Sequence, residues 1–172
     1  MIILAIDPAA RTGWALADTI ADQLTYGVWA LGADPGGQLI RLEEYATATI
    51  KRFGVQVVAY ESASFGSHNP HVQSRHNEKG AIIQMVAAKH NLPCWSYNPM
   101  QWKAIALTSG NLDKAGVMRA LKLIYDIEVD DPDEADAIGI AKAATKGPPP
   151  ESKKKQRRAA EKRLKAMPRL FR

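Results

Sequence analysis

The sequence predicts an α/β layered domain built on a mixed five-stranded sheet, its three N-terminal strands antiparallel, with flanking helices and a basic C-terminal tail. Three observations carry that expectation. Strand-like periodicity occurs three times before any helical pattern begins. Two later apolar runs, too short for helices, alternate with helical stretches. The first and fourth apolar runs each end on an acid, Asp7 and Glu61. A chain of 172 residues with 46% hydrophobic content can bury one substantial core.

Residues 1–6 form a short apolar run closed by Asp7-Pro8, which reads as a buried strand delivering a carboxylate to its C-terminal end. After the turn Pro8-Ala9-Ala10-Arg11, Thr12-Gly13-Trp14-Ala15-Leu16 returns as a second strand. Residues 24–31 alternate, with Leu24, Tyr26, Val28 and Ala30 on one face, giving a third. Beyond the loop at residues 32–37, Leu39, Ile40, Leu42, Tyr45, Ala46, Thr49 and Ile50 recur at helical spacing up to Phe53. Residues 55–60 are again continuously apolar, as expected of a strand covered on both faces, and lead into Glu61. A polar loop over 62–70 precedes a long helix over about 71–90, on which Ala81, Ile82, Met85, Val86 and Lys89 mark an apolar stripe. Residues 92–97 read as a fifth strand, Asn98-Pro99 opens a short helix to about Leu107, and residues 113–125 form another.

The last helix, over 132–145, begins with Asp131-Pro132-Asp133-Glu134-Ala135-Asp136. Asp131 suits the N-cap, Pro132 the first helical position, and Glu134 completes a capping box. Acids favour the positive end of the helix dipole, so Asp133 has a structural reading too. Asp136 is left over: it stands among Ala135, Ala137, Ile138 and Ile140, where a helix entering a core should be apolar. Three residues apart, Asp133 and Asp136 share one helical face.

The net charge of +5 is unevenly placed. Residues 146–172 hold 11 Lys or Arg against 2 acids, a surplus of +9, and residues 1–145 hold 12 against 16, or −4. Gly147-Pro148-Pro149-Pro150 cannot continue a helix, so the expected organisation is a domain over 1–145 and a tail over 146–172, flexible or helical when bound. Clustered Lys153, Lys154, Lys155, Arg157 and Arg158 suit a phosphate backbone, though such tails also occur as solvated extensions. One cysteine, Cys94, excludes an internal disulfide and fits a reducing compartment. Nothing reads as a secretory signal or a membrane span, so a cytoplasmic protein is expected, with no membrane partner. Trp14, Trp29, Trp95 and Trp102 read as core, Glu78 as a surface helix residue, and His68, His71 and His76 as solvated or capping.

If the first and fourth strands are parallel neighbours, Asp7 and Glu61 emerge side by side, and the last helix can lay Asp133 and Asp136 over them. Four carboxylates in one place repel one another unless cations bind. An all-oxygen set suits Mg²⁺ or Mn²⁺, and two such ions about 4 Å apart serve phosphodiester hydrolysis. No Cys or His cluster with zinc spacing competes.

Ile3-Leu4-Ala5-Ile6-Asp7-Pro8 with Thr12-Gly13-Trp14-Ala15, Val57-Val58-Ala59-Tyr60-Glu61, and residues 133–141 resemble, in order and spacing, the RuvC-type Holliday junction resolvases of the ribonuclease-H-like fold. The short first turn, with Ala9 where a glycine is usual, resembles phage-type variants. The resemblance implies that Asp7, Glu61, Asp133 and Asp136 bind two Mg²⁺ ions and activate water. It also implies that Lys103 and Lys114, in Asn98-Pro99-Met100-Gln101-Trp102-Lys103 and Leu112-Asp113-Lys114, support catalysis or hold the scissile phosphate, and that Phe65 is a junction wedge. Plain readings stand beside these: exposed helix lysines and a loop anchor.

The expected activity is therefore Mg²⁺-dependent resolution of four-way DNA junctions by paired symmetric cuts, with no small-molecule cofactor. A two-fold junction needs two sites, hence a homodimer, with Ile82, Met85 and Val86 as its candidate face. The working place would be the nucleoid or the cytoplasm of a phage-infected cell. Two other readings keep part of this: a nuclease of the same fold acting on RNA or other branched intermediates, and a DNA-binding protein with a vestigial acidic cluster. An actin-like phosphotransferase shares a similar first strand but needs a longer chain.

Overall fold

A computed structural model describes residues 1–9, 11–63 and 70–150. Its elements run β1 (Ile2–Asp7), β2 (Thr12–Asp18), β3 (Gln23–Trp29), α1 (Pro35–Phe53), β4 (Val57–Glu61), α2 (Pro70–Lys89), β5 (Cys94–Tyr97), α3 (Pro99–Leu107), α4 (Lys114–Tyr125) and α5 (Pro132–Ala144). The sheet order is β3-β2-β1-β4-β5. β1–β2 and β2–β3 are antiparallel, and β1–β4 and β4–β5 are parallel. This is the mixed sheet expected from the order of periodicities.

The central strands alternate between two cores. Ile3 and Ala5 of β1 face a cluster shared with α3, α4 and α5, whereas Leu4 and Ile6 face one shared with α1 and α2. Each fully buried Leu or Ile stabilises the fold by roughly 1.5–3 kcal/mol relative to exposure. The α5 side is made of small residues. Ala5, Ala15, Ala17 and Ala59 of the sheet meet Ala135, Ala137, Ala141 and Ala144, so α5 lies close against the strands.

Local signals set most boundaries. Asp34 caps α1 by accepting from the Gly37 N–H at 2.6 Å, and Gly54, at φ 64°, ends it. Asn98 and Gln101 form a reciprocal capping box at the start of α3. Asp113 caps α4, so that helix begins at Lys114. The Asp131 side chain accepts from the Asp133 N–H at 2.9 Å, but the return bond expected from Glu134 is not formed.

Several expectations change in detail. β3 stops at Trp29, and Leu31 is buried in the other core. β5 begins at Cys94 rather than residue 92; the Pro93 carbonyl accepts from Val58 N–H at 3.0 Å, but Pro93 has no N–H to extend the ladder. The stripe on α2 is out of phase with the expected one: its buried residues are Lys79, Gly80, Ile83, Val86 and Ala87. Val86 is 1% exposed and packs within the protomer, so it cannot belong to a dimer face. Trp102 is fully buried, whereas Trp14, Trp29 and Trp95 are half-buried. Among the described residues no helix is long and apolar enough to cross a membrane.

Candidate active site

The parallel register Ile6↔Tyr60 sets Asp7 and Glu61 level at the C-terminal edge of β1 and β4. On the other side Asp7 is paired with Gly13. A Cβ on Gly13 would lie 2.0 Å from the Asp133 carbonyl oxygen, so this glycine admits the first turn of α5 against the strand edge and brings Asp133 over Asp7. One turn later α5 presents Asp136. A Cβ on Gly139 would lie 2.2 Å from the Trp102 ring, so the indole rests on the α5 backbone and seats α3 beside it. From there Trp102 Nε1–H donates to Glu61 Oε2 at 2.6 Å.

These carboxylates share one electrostatic environment. Burial pushes Asp7 well above the usual carboxylate range, and the charges of Glu61, Asp136 and Asp133 add to it. Burial also raises Glu61, against the opposing effects of the Trp102 hydrogen bond and of Lys103 and Lys114. Asp136 is pushed up to about 6, first by burial and then by Glu61. Its Oδ1 is, among the described residues, the one buried side-chain oxygen or nitrogen with no hydrogen-bond partner. An acid held in that way is stable only if neutral or if a cation reaches it.

Two lysines and an arginine border the cluster. Lys114 Nζ pairs with Asp133 Oδ1 at 3.2 Å. Burial alone would lower the Lys114 pKa, but the Asp133 bond and the charges of Asp133, Asp136 and Asp7 raise it. Lys103 Nζ donates to the Leu112 carbonyl at 2.8 Å and lies over the Trp102 ring, close enough for its charge to lower Glu61 and Asp136. Arg11 bonds Asp131 Oδ2 at 2.5 Å and stands 3.9 Å from Asp133 Oδ2.

The structure thus brings together Asp7, Glu61, Asp133, Asp136, Lys103 and Lys114. Phe65, His68, Lys153, Lys154, Lys155, Arg157 and Arg158 lie outside the described residues. Glu78 pairs with Arg75 at 3.0 Å on the helix surface, as read. Sequence reasoning missed Arg11, the Trp102 donor and His76, whose ring meets the Glu61 carbonyl oxygen at 2.9 Å.

An oxygen-only donor set with an unpartnered buried carboxylate oxygen fits a hard divalent cation. Among the described residues no three His, Cys, Asp or Glu side chains yet close around a common point. Lys114 and Arg11 hold Asp133, and Trp102 holds Glu61.

A family model described as Crossover junction endodeoxyribonuclease RuvC matches residues 3–144. Two curated proteins of that name are similar. That of Endomicrobium trichonymphae is 30% identical over 152 residues, covering 82% of this chain and 78% of the relative. That of Prochlorococcus marinus strain MIT 9313 is 31% identical over 151 residues, covering 82% and 96%. Among solved structures, Thermus thermophilus RuvC in complex with Holliday junction substrate superposes with a TM-score of 0.70 at 18% identity, covering 84% of this chain and 92% of that one. The yeast mitochondrial Holliday junction resolvase Ydc2 superposes at 0.54 and 15% identity, covering 82% and 76%. At such identities the structural likeness establishes the sheet and its flanking helices, the ribonuclease-H-like architecture, and the sequence matches carry the rest.

Proposed function

Because the chain belongs to the crossover junction endodeoxyribonuclease RuvC family, we propose that the cluster at the edge of β1 and β4 is the catalytic centre of a Holliday junction resolving endonuclease. The observation that carries this reading is the buried, partnerless Oδ1 of Asp136 beside Asp7 and Glu61. Asp7, Glu61, Asp133 and Asp136 are the residues that would hold Mg²⁺, two ions per site, with Mn²⁺ as a substitute. Bound there, the metal supplies Lewis-acid polarisation of the phosphate and lowers the pKa of water.

The remaining work falls to the chain itself. Trp102 fixes the direction of Glu61 through its Nε1–H bond. Lys114 balances Asp133 while the site is empty of substrate and is free to turn to a phosphate, since its side chain is 64% exposed. Lys103 contributes a second positive charge beside Glu61 and Asp136. Phe65 is proposed as the wedge at the junction centre. Lys153, Lys154, Lys155, Arg157 and Arg158 add sequence-independent affinity for the backbone, which falls as salt rises. A four-way junction has two-fold symmetry, so paired cuts require two such sites in a homodimer.

The test compares cutting of a synthetic four-way junction with linear duplex, splayed-arm DNA and an RNA–DNA hybrid, in Mg²⁺ or EDTA, by the wild type and Asp136→Asn. Paired symmetric nicks in the junction, lost with EDTA and in the variant, are expected. Junction binding without cutting under any divalent ion would leave a binding protein, and cutting of the hybrid alone would point to a nuclease acting on RNA.

A further inference from the structure

One buried cation is not accounted for by that mechanism. Lys79 is 3% exposed, and its Nζ donates to the Ala9 carbonyl oxygen at 2.5 Å. Ala9 stands two residues beyond Asp7, in the turn that leaves β1. Three residues earlier on α2, His76 Nε2 meets the Glu61 carbonyl oxygen at 2.9 Å. A carbonyl only accepts, so His76 carries its proton on Nε2. Spacing of three places both side chains on one face of α2. That face is seated hard on β4: a Cβ on Gly80 would lie 3.2 Å from the Tyr60 ring, directly before Glu61. One helical turn therefore grips the main chain that carries each of the two strand-borne carboxylates.

We propose that His76 and Lys79 are positioning residues, a clamp on α2 that fixes the main chain behind Glu61 and behind Asp7 and so sets the spacing at which the two carboxylates meet a divalent cation. The clamp rests on the assignment of Asp7 and Glu61 as cation ligands. Neither clamp residue touches the substrate, and the two strands are joined through α2 in addition to their own ladder. The Lys79 charge also acts on Asp7, offsetting part of the repulsion within the cluster.

The test uses the full chain, with Mn²⁺ as probe. Binding is measured by calorimetry without DNA, followed by the Mn²⁺ dependence of junction cutting, junction affinity in EDTA and thermal unfolding. Lys79→Met is expected to bind Mn²⁺ about tenfold more weakly or worse, the loss typical of groups that orient metal ligands. It should need correspondingly more Mn²⁺ for half-maximal cutting while binding the junction as before. Lys79→Arg, which can still donate to Ala9, should recover most of the loss, and Lys89→Met, far along the same helix, should behave as wild type. If Lys79→Met does not fold, His76→Ala against His76→Gln takes its place. The glutamine amide can donate to the Glu61 carbonyl, so it should restore what alanine loses. A variant that unfolds earlier but takes Mn²⁺ like the wild type overturns the clamp. If Asp7→Asn also binds Mn²⁺ like the wild type, the assignment of the site has failed, and the clamp falls with it.

Discussion

α1 and α5 begin with the same two residues and end in different roles. Each is capped by an aspartate followed by proline, Asp34-Pro35 in one and Asp131-Pro132 in the other. α1 lies on the face of the sheet opposite α5, buries Leu42, Ala46 and Ile50, and has no acid in its first turn. α5 buries nine residues around almost its whole circumference, with Asp133 among them. A capping signal reports where a helix starts; it does not report whether the start lies in water or at a strand edge. The start of α5 packs against Gly13 of β2 and beside Trp102, and burial together with the Glu61 charge raises the pKa of its Asp136.

The comparison breaks most sharply at the glycines. In α1 a Cβ on Gly36 would meet only Asp34 Oδ2, at 3.6 Å, which is ordinary contact. In α5 a Cβ on Gly139 would overlap the Trp102 ring at 2.2 and 2.8 Å. Gly139→Ala is therefore expected to lose about 3 kcal/mol of stability in chemical unfolding, the upper end of overpacking costs. Since the indole must move, the Glu61 orientation is lost too, and cutting should fall by more than the stability change explains. A variant with wild-type stability and cutting would show that α3 and α5 are not in the contact described.

The electrostatics sharpen the same contrast. Asp136 is held at about 6 against an ordinary 3.8, first by burial. An acid whose folded pKa is raised takes up protons on folding between those values. Its contribution to stability is therefore present below pH 3.8 and is lost as pH rises through about 6. The displacement is worth up to about 3 kcal/mol, less what water screens at a half-buried site. Without metal, Asp136→Asn should melt higher than wild type at pH 8, and the gap should close by pH 4. Mg²⁺ should raise the melting temperature of the wild type and leave the variant nearly unchanged. A constant gap across that range would mean that Asp136 is not the strained acid.

The parts of this site legible in the sequence were those with a local mark. Asp7 and Glu61 each interrupt an apolar run at its end, and Asp136 is a charge where α5 should be apolar. What was illegible depends on pairs distant in sequence. Trp102 reads as core, and it is core; that its one polar atom reaches Glu61, 41 residues away, follows from the packing of α3 on α5. Lys79 and Ala9 are 70 apart, and a lysine on a helix reads as solvent-facing. The apolar spacing of Ala81, Ile82 and Met85 marks a different face of α2 from the buried one, which carries Lys79, Gly80 and Ile83 and is set by packing on β4. The Asp131 side chain also bonds Arg11, 120 residues away, a tertiary contact that a local capping motif does not anticipate.

The smallest effect belongs to α1 and tests whether its cap is only a cap. Asp34 is exposed and accepts from Gly37 N–H, the ordinary work of an N-cap. Asp34→Ala should cost about 1 kcal/mol in unfolding free energy. It should leave Mn²⁺ affinity and junction cutting at wild-type values, because none of the groups that bear on the charges of Asp7, Glu61 or Asp136 comes from α1. Its neighbour in grammar, Asp131, should behave otherwise. There the same truncation also frees Arg11, whose guanidinium stands 3.9 Å from Asp133 Oδ2 and would swing further onto it. Two aspartates with one local role are thus separated by a metal titration, and equal behaviour of the two variants would place the first turn of α5 outside the site.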